Sequence, residues 1–224
     1  MHSRNLIAAL CFGVCVSSAF SSEDKIDYSL SVKSWNADVK VDLGAAGSGS
    51  TTKGNSPIIG LTARKGDYFV SASTLLESSY NFNTATVSRK DYDVSVGYRA
   101  TENISVIGGY KALTMTDHSI ANYVEEHAGV YIGLAGFKLL NSTDFIYGNF
   151  WVAPNMTSSG TAAVDKLDNF KAQNYEVGFG RALTPSTQVT IGYRTQEMKT
   201  DNKTQNRSEI YTMKGILVGM NVNF

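Results

Sequence analysis

Two kinds of connection alternate along this chain, and that alternation limits the folds open to it more than any other feature. From about residue 25 onward the dominant period is two. Tyr92, Val94, Val96 and Tyr98 alternate with Asp93, Ser95, Gly97 and Arg99, and Val189, Ile191 and Tyr193 alternate with Gln188, Thr190, Gly192 and Arg194. Such a period puts apolar residues on one face of a strand and polar or small ones on the other. Short turns occupy 65–67, 101–103, 141–144 and 184–186; longer polar stretches occupy 44–56, 78–90, 115–124, 157–169 and 200–207. Short and long follow each other strictly. The nine connections predict ten strands, at 25–43, 57–65, 67–77, 90–100, 103–114, 125–140, 144–156, 170–183, 187–199 and 208–224. An even number lets an antiparallel sheet close with both ends on one side; eight strands with a plugging hairpin is the alternative. The first predicted strand changes phase near Trp35, which predicts a bulge there or an extension above the membrane.

Composition narrows the setting. Charged residues are 18% of the chain, below the roughly 25% usual in soluble domains. Lys+Arg and Asp+Glu are both 20, so no basic footprint for nucleic acid is present. Mean hydropathy is −0.15, and the longest uncharged apolar run, 6–16, is far short of the roughly 20 residues a membrane-spanning helix needs. That run follows Arg4 and precedes the small residues Ser17, Ser18 and Ala19, the layout of a secretory signal peptide over 1–21, cleaved after Ala19 or Ser21. Both cysteines, Cys11 and Cys15, lie inside it. The mature chain, 22–224, then has no disulfide and no thiolate metal site.

Tight turns at one end, long loops at the other and alternating strands describe an all-β, up-and-down antiparallel transmembrane β-barrel of the bacterial outer membrane. The C-terminus supports this. Ile216, Val218, Met220, Val222 and Phe224 share one face, and the arrangement of Gly219, Val222 and Phe224 resembles the assembly signal of bacterial outer-membrane proteins. Leu217 departs from that pattern, where a polar residue is usual. The resemblance is to small outer-membrane barrels as a broad class. It implies the barrel-assembly machinery as a partner, with outer-membrane lipids and lipopolysaccharide as surroundings. Aromatic girdles are expected from Tyr68, Tyr98, Phe145 and Phe224 at the periplasmic ends and from Tyr92 and Tyr175 at the outer ends.

On the inward phase the alternation places Arg64, Glu77, Asp91, Asp93, Arg99, Lys111, His127, Glu176 and Arg194. Charges of both signs are interleaved there, which predicts a lumen filled by ion pairs and hydrogen bonds or, with the same residues, a narrow pore lining. Catalysis is not expected. An omptin-like hydrolase would need acidic residues and a histidine at the rim, and Asp91, Asp93 and the Asp117-His118 pair offer only a partial match. A lipid A deacylase would need a histidine and a serine on one strand face, but Gly129 stands two residues after His127. With His2, His118 and His127 the only histidines, no zinc site and no cofactor are expected. The function expected is therefore structural or surface-interacting, through extracellular loops that could hold an extracellular ligand. A narrow channel for small solutes is the alternative.

Overall fold

The computed structural model describes residues 25–44, 47–51, 53–82, 85–119, 123–160, 167–203 and 206–224; the expected signal segment lies outside these. The strands are β1 (Ile26–Asp42), β2 (Ser48–Ser50), β3 (Gly54–Lys65), β4 (Tyr68–Asn81), β5 (Thr86–Arg99), β6 (Ile104–Asp117), β7 (Tyr123–Leu139), β8 (Asp144–Gly160), β9 (Leu167–Ala182), β10 (Thr187–Asn202) and β11 (Arg207–Asn223). Each pairs antiparallel with its neighbour, and β11 returns to pair with β1 from Ser29↔Asn223 to Asp42↔Ile210, so the sheet closes. Ten strands form the barrel. β2 is a three-residue strand laid against the outer end of β1.

The short turns fall where predicted. At Lys65-Gly66-Asp67-Tyr68 the ladder runs up to the Lys65↔Tyr68 pair, leaving a two-residue loop. Such a loop matches strand twist when its first residue takes positive φ, and Gly66 does so at 59°. The long connections are shorter than expected, because the strands run several residues into the polar stretches. Residues 86–90, 115–117, 157–160 and 200–202 are strand. Their polarity had marked them as loop, yet it belongs to strands whose outer faces meet water.

β1 shows how one strand serves both environments. Its outward residues pass from Ile26, Tyr28, Leu30 and Val32 to Ser34, Asn36 and Lys40. Its inward residues pass from Ser29, Ser31 and Lys33 to Trp35 and Ala37, which are wholly buried. The strand does not bulge at Trp35; its register continues unbroken against both neighbours. The chemistry of the two faces exchanges instead. Toward the short-turn end, apolar side chains point out and polar ones in, as lipid requires. Toward the long-loop end the barrel has an apolar core and a polar exterior, as water requires. Trp35, Ala37, Ile58, Leu75, Tyr80, Met213 and Leu217 form one inward apolar cluster, and Leu113, Met156, Phe170, Ala172 and Met198 belong to a second. Leu217, the residue that departs from the terminal pattern, is part of the first.

Two expectations are corrected. Glu77 does not face inward. The β4–β5 ladder passes from Leu75↔Asp91 to Ser78↔Arg89, so Leu76 and Glu77 together stand opposite the single residue Lys90, and this bulge leaves Glu77 exposed. Phe145 is not a girdle residue. It is fully buried, with its ring over its cross-strand partner Gly180, where any Cβ would strike the ring. Tyr68, Tyr98 and Phe224 are exposed at the short-turn end, and Tyr92 and Tyr175 are exposed near the upper edge of the apolar band.

Candidate functional site in the barrel lumen

Alternation carries the polar side chains inward, and closure brings residues from distant strands within reach of one another. At the short-turn end Arg64 donates from Nε to the carbonyl of Gly66 at 2.7 Å. Arg99 pairs with Asp67 at 2.5 Å. Both arginines therefore hold turns at the base and stand apart from the central charges.

The central charges form a connected set. Asp91 is buried between two cations. Arg89 grips both its oxygens, at 2.7 and 2.6 Å, and Lys111 approaches Oδ2 at 2.8 Å. Arg89 also donates to Gln196 Oε1 at 2.8 Å and lies 3.4 Å from the Met213 sulfur. Asp93 accepts the Tyr131 hydroxyl at 2.8 Å. Arg194 donates to Asn174 Oδ1 at 2.7 Å, its guanidinium 4.6 Å above the Trp35 ring centroid. Glu176 is buried in the field of Lys33 and Arg194. Asp91, Asp93, Lys111 and Arg194 border a cavity of about 80 Å³ inside the barrel, where serines and threonines such as Ser31 and Thr62 mix with apolar Ile107 and Trp151. That volume suits a few waters rather than an organic ligand.

His127 lies apart from this set, toward the long-loop end. Its Nε2 is 3.3 Å from Glu125 Oε2, its Nδ1 is 2.9 Å from Ser158 Oγ, and its ring stacks on Phe170 at 3.7 Å. No serine follows on its own strand, but the next strand supplies Ser158 as its direct cross-strand partner. Arg89, Lys33 and Glu125 were also missed. Arg89 fell in a stretch read as loop and Glu125 at the first position of a predicted strand, although each lies two residues from a named inward residue and so shares its face. Lys33 sits on β1 just before the apolar residues change faces at Trp35. Among the assembly-signal residues, Gly219 faces Lys33 across the seam, where a Cβ would meet the lysine stem and Thr190 Oγ1. Val222 pairs with Leu30. Phe224 exchanges backbone hydrogen bonds with Tyr28, with the two rings stacked 6.3 Å apart.

Among solved structures, the outer membrane protease OmpT of Escherichia coli matches with a TM-score of 0.56 at 12% identity, over 91% of this chain and 98% of that one. The fold is that of a small outer-membrane β-barrel. Neisserial surface protein A matches with a TM-score of 0.42 at 16% identity over 88% and 97% of the two chains. Ail of Yersinia pestis matches with a TM-score of 0.38 at 12% identity over 88% and 98%. No protein-family model matches the sequence, and no curated protein does. The lipid-facing band agrees with the fold. Val94, Val96, Ile132, Val177, Ile191 and Val218 are all exposed on the outer face, an arrangement stable in lipid and unfavourable in water.

Proposed function

We propose that this outer-membrane barrel acts through its long-loop end, as a structural or surface-interacting protein whose lumen neither conducts freely nor carries out catalysis through its central charges. The observation that carries this reading is the closure of the lumen. Arg89 spans from Asp91 to Gln196 and Met213, joining the charged layer to the apolar core above it. A solute would have to separate buried ion pairs and then part an apolar core. Breaking a buried pair costs several kcal/mol. Ten strands also lie near the narrow end of the range in which side chains can fill a barrel.

A rim hydrolase built on the aspartates is the weaker reading. Both oxygens of Asp91 are held by cations, Asp93 accepts from Tyr131, and both carboxylates stand in the central charged layer rather than at the rim, where such a hydrolase needs them. Asp117 accepts from Ser119, and His118 Nε2 bonds to Ser88 rather than to Asp117. The extracellular partner is reached through strand extensions that stand clear of the membrane, with lipopolysaccharide around their base.

Planar-bilayer recording on the purified protein tests this. The expected result is small, flickering conductance that rises when Lys111→Met or Arg194→Met loosens the network. Large, stable single-step channels from the wild type would instead establish a diffusion pore.

A further inference from the structure

The group at the long-loop end of β7 and β8 has a chemistry that the closed lumen does not use. Glu125 and His127 stand two residues apart on β7 and so share its inward face. Ser158 of β8 is the register partner of His127 and joins that face. The three side chains form one hydrogen-bonded line. Glu125 Oε2 lies 3.3 Å from His127 Nε2, and His127 Nδ1 lies 2.9 Å from Ser158 Oγ.

The carboxylate sets the tautomer. An ionised Glu125 accepts only, so the proton it faces sits on Nε2, and Nδ1 keeps the lone pair that receives the serine proton. The ring is buried, with 1% of its surface exposed, and lies flat against Phe170, which keeps it from turning away. The other oxygen of Glu125 is held by the Tyr123 hydroxyl. Across the lumen, Glu209 accepts from Tyr211 and Arg207, so its charge is engaged elsewhere. Ser158 itself is half-buried and lies near the open end. A hydroxyl bonded to a base, and a base oriented by an acid, is the arrangement that activates a serine.

We propose that Ser158 is an activated nucleophile for small water-soluble carboxylic esters, with His127 as its general base and Glu125 as the residue that positions that base. Ser158 Oγ attacks the ester carbonyl while its proton passes to His127 Nδ1. The tetrahedral adduct collapses, the ester C–O bond breaks, and the alcohol leaves with that proton. Water, deprotonated by His127, then attacks the acyl-serine, releasing the carboxylic acid and restoring Ser158. Because Ser158 is half-buried near the long-loop end of β8, on the inward face and away from the lipid band, its substrate arrives from water. This goes beyond the surface-interaction reading and is independent of it, since conductance and serine reactivity are separate measurements.

The test is covalent labelling of the folded protein in detergent micelles by a fluorophosphonate, with the modified peptide located by mass spectrometry. p-Nitrophenyl acetate hydrolysis is followed in parallel. The expected outcome is one label, on Ser158, that is absent in Ser158→Ala and present in Ser186→Ala, a serine in a short turn at the other end. His127→Gln should slow labelling by at least about 100-fold. Glu125→Gln should slow it by more than about tenfold and change the pH profile of the rate, a profile read with Glu125, Tyr123, Tyr211, Glu209 and Arg207 as the titratable and charged neighbours. Heat-modifiable migration of each variant on unboiled gels shows that it has folded, and the position of the label on the wild type decides the matter even if a variant does not fold. No label, a label on another serine, or an unchanged rate in folded His127→Gln would overturn the proposal and leave the three residues as a structural hydrogen-bond chain.

Discussion

Trp35 and Leu217 are cross-strand partners at the seam where the first and last strands meet, and both side chains are buried. Closure of the barrel is thus secured by apolar packing inside it as well as by the ladder. Trp35→Ala should destabilise the folded state by about 3–5 kcal/mol, the usual cost of removing a large buried aromatic. The check is the denaturant midpoint of the heat-modifiable band. A change under about 1 kcal/mol would mean that the seam is held by its backbone pairing alone.

Asp91 makes close ion pairs with two buried cations, whereas Lys111 makes one, to an anion that keeps its second partner, Arg89, and acts on Asp93 only through its field. Removing the shared anion should therefore cost more than removing either cation. Asp91→Ala is expected to lose about 3–5 kcal/mol, because two buried cations lose the carboxylate they share, and Lys111→Met clearly less. Equilibrium unfolding of the two variants side by side gives the ordering; equal losses would contradict the shared-anion geometry.

At the short-turn end, hydrogen bonds from Arg181, reinforced by Asn141, hold the Asp144 carboxyl down at about 2. An unfolded aspartate titrates near about 3.9. The folded pKa is the lower one, so this pair's contribution is fully present above about pH 4 and is lost as pH falls toward about 2. Wild-type stability should decline more steeply than that of Asp144→Asn across this window. Arg181 is largely exposed, so added salt should shrink the difference. Parallel pH curves would show that the pair contributes nothing to folding.

Phe224 is 71% exposed at the short-turn end. A charge at the interface costs only about 0–1 kcal/mol in a formed barrel. Phe224→Asp should therefore leave the unfolding midpoint of purified protein nearly unchanged while reducing the amount inserted in cells. Normal levels in the outer membrane would mean that the terminal aromatic has no part in assembly.

Strand number, closure and the lipid-facing face were legible because lipid imposes one rule on every strand, and period two reports it directly. The same rule misled above the lipid. Trp35 looked like a break in phase because the apolar residues changed sides while the backbone did not. Glu77 went to the wrong face because a bulge shifts every later residue, and nothing local marks Leu76 as the extra one. The Asp91–Lys111 contact joins neighbouring strands and could be anticipated from alternation. Ser158 beside His127 depends on the register between two strands, which no residue of either strand specifies alone. Arg194 over Trp35 depends on closure of the whole ring.

The exchange of faces along the strands bears on the chain's life before it reaches the membrane. A partly formed sheet crossing the periplasm would display apolar residues on both of its sides, Ile26 to Val32 on one and Trp35 to Val39 on the other, offset along the strand. Neither side becomes safe when the other is shielded, because lipid covers only the first and ring closure only the second. A carrier that covered a single surface would leave a sticky one bare. A carrier that enclosed the chain would shield both, and release ahead of insertion or closure would expose one of them.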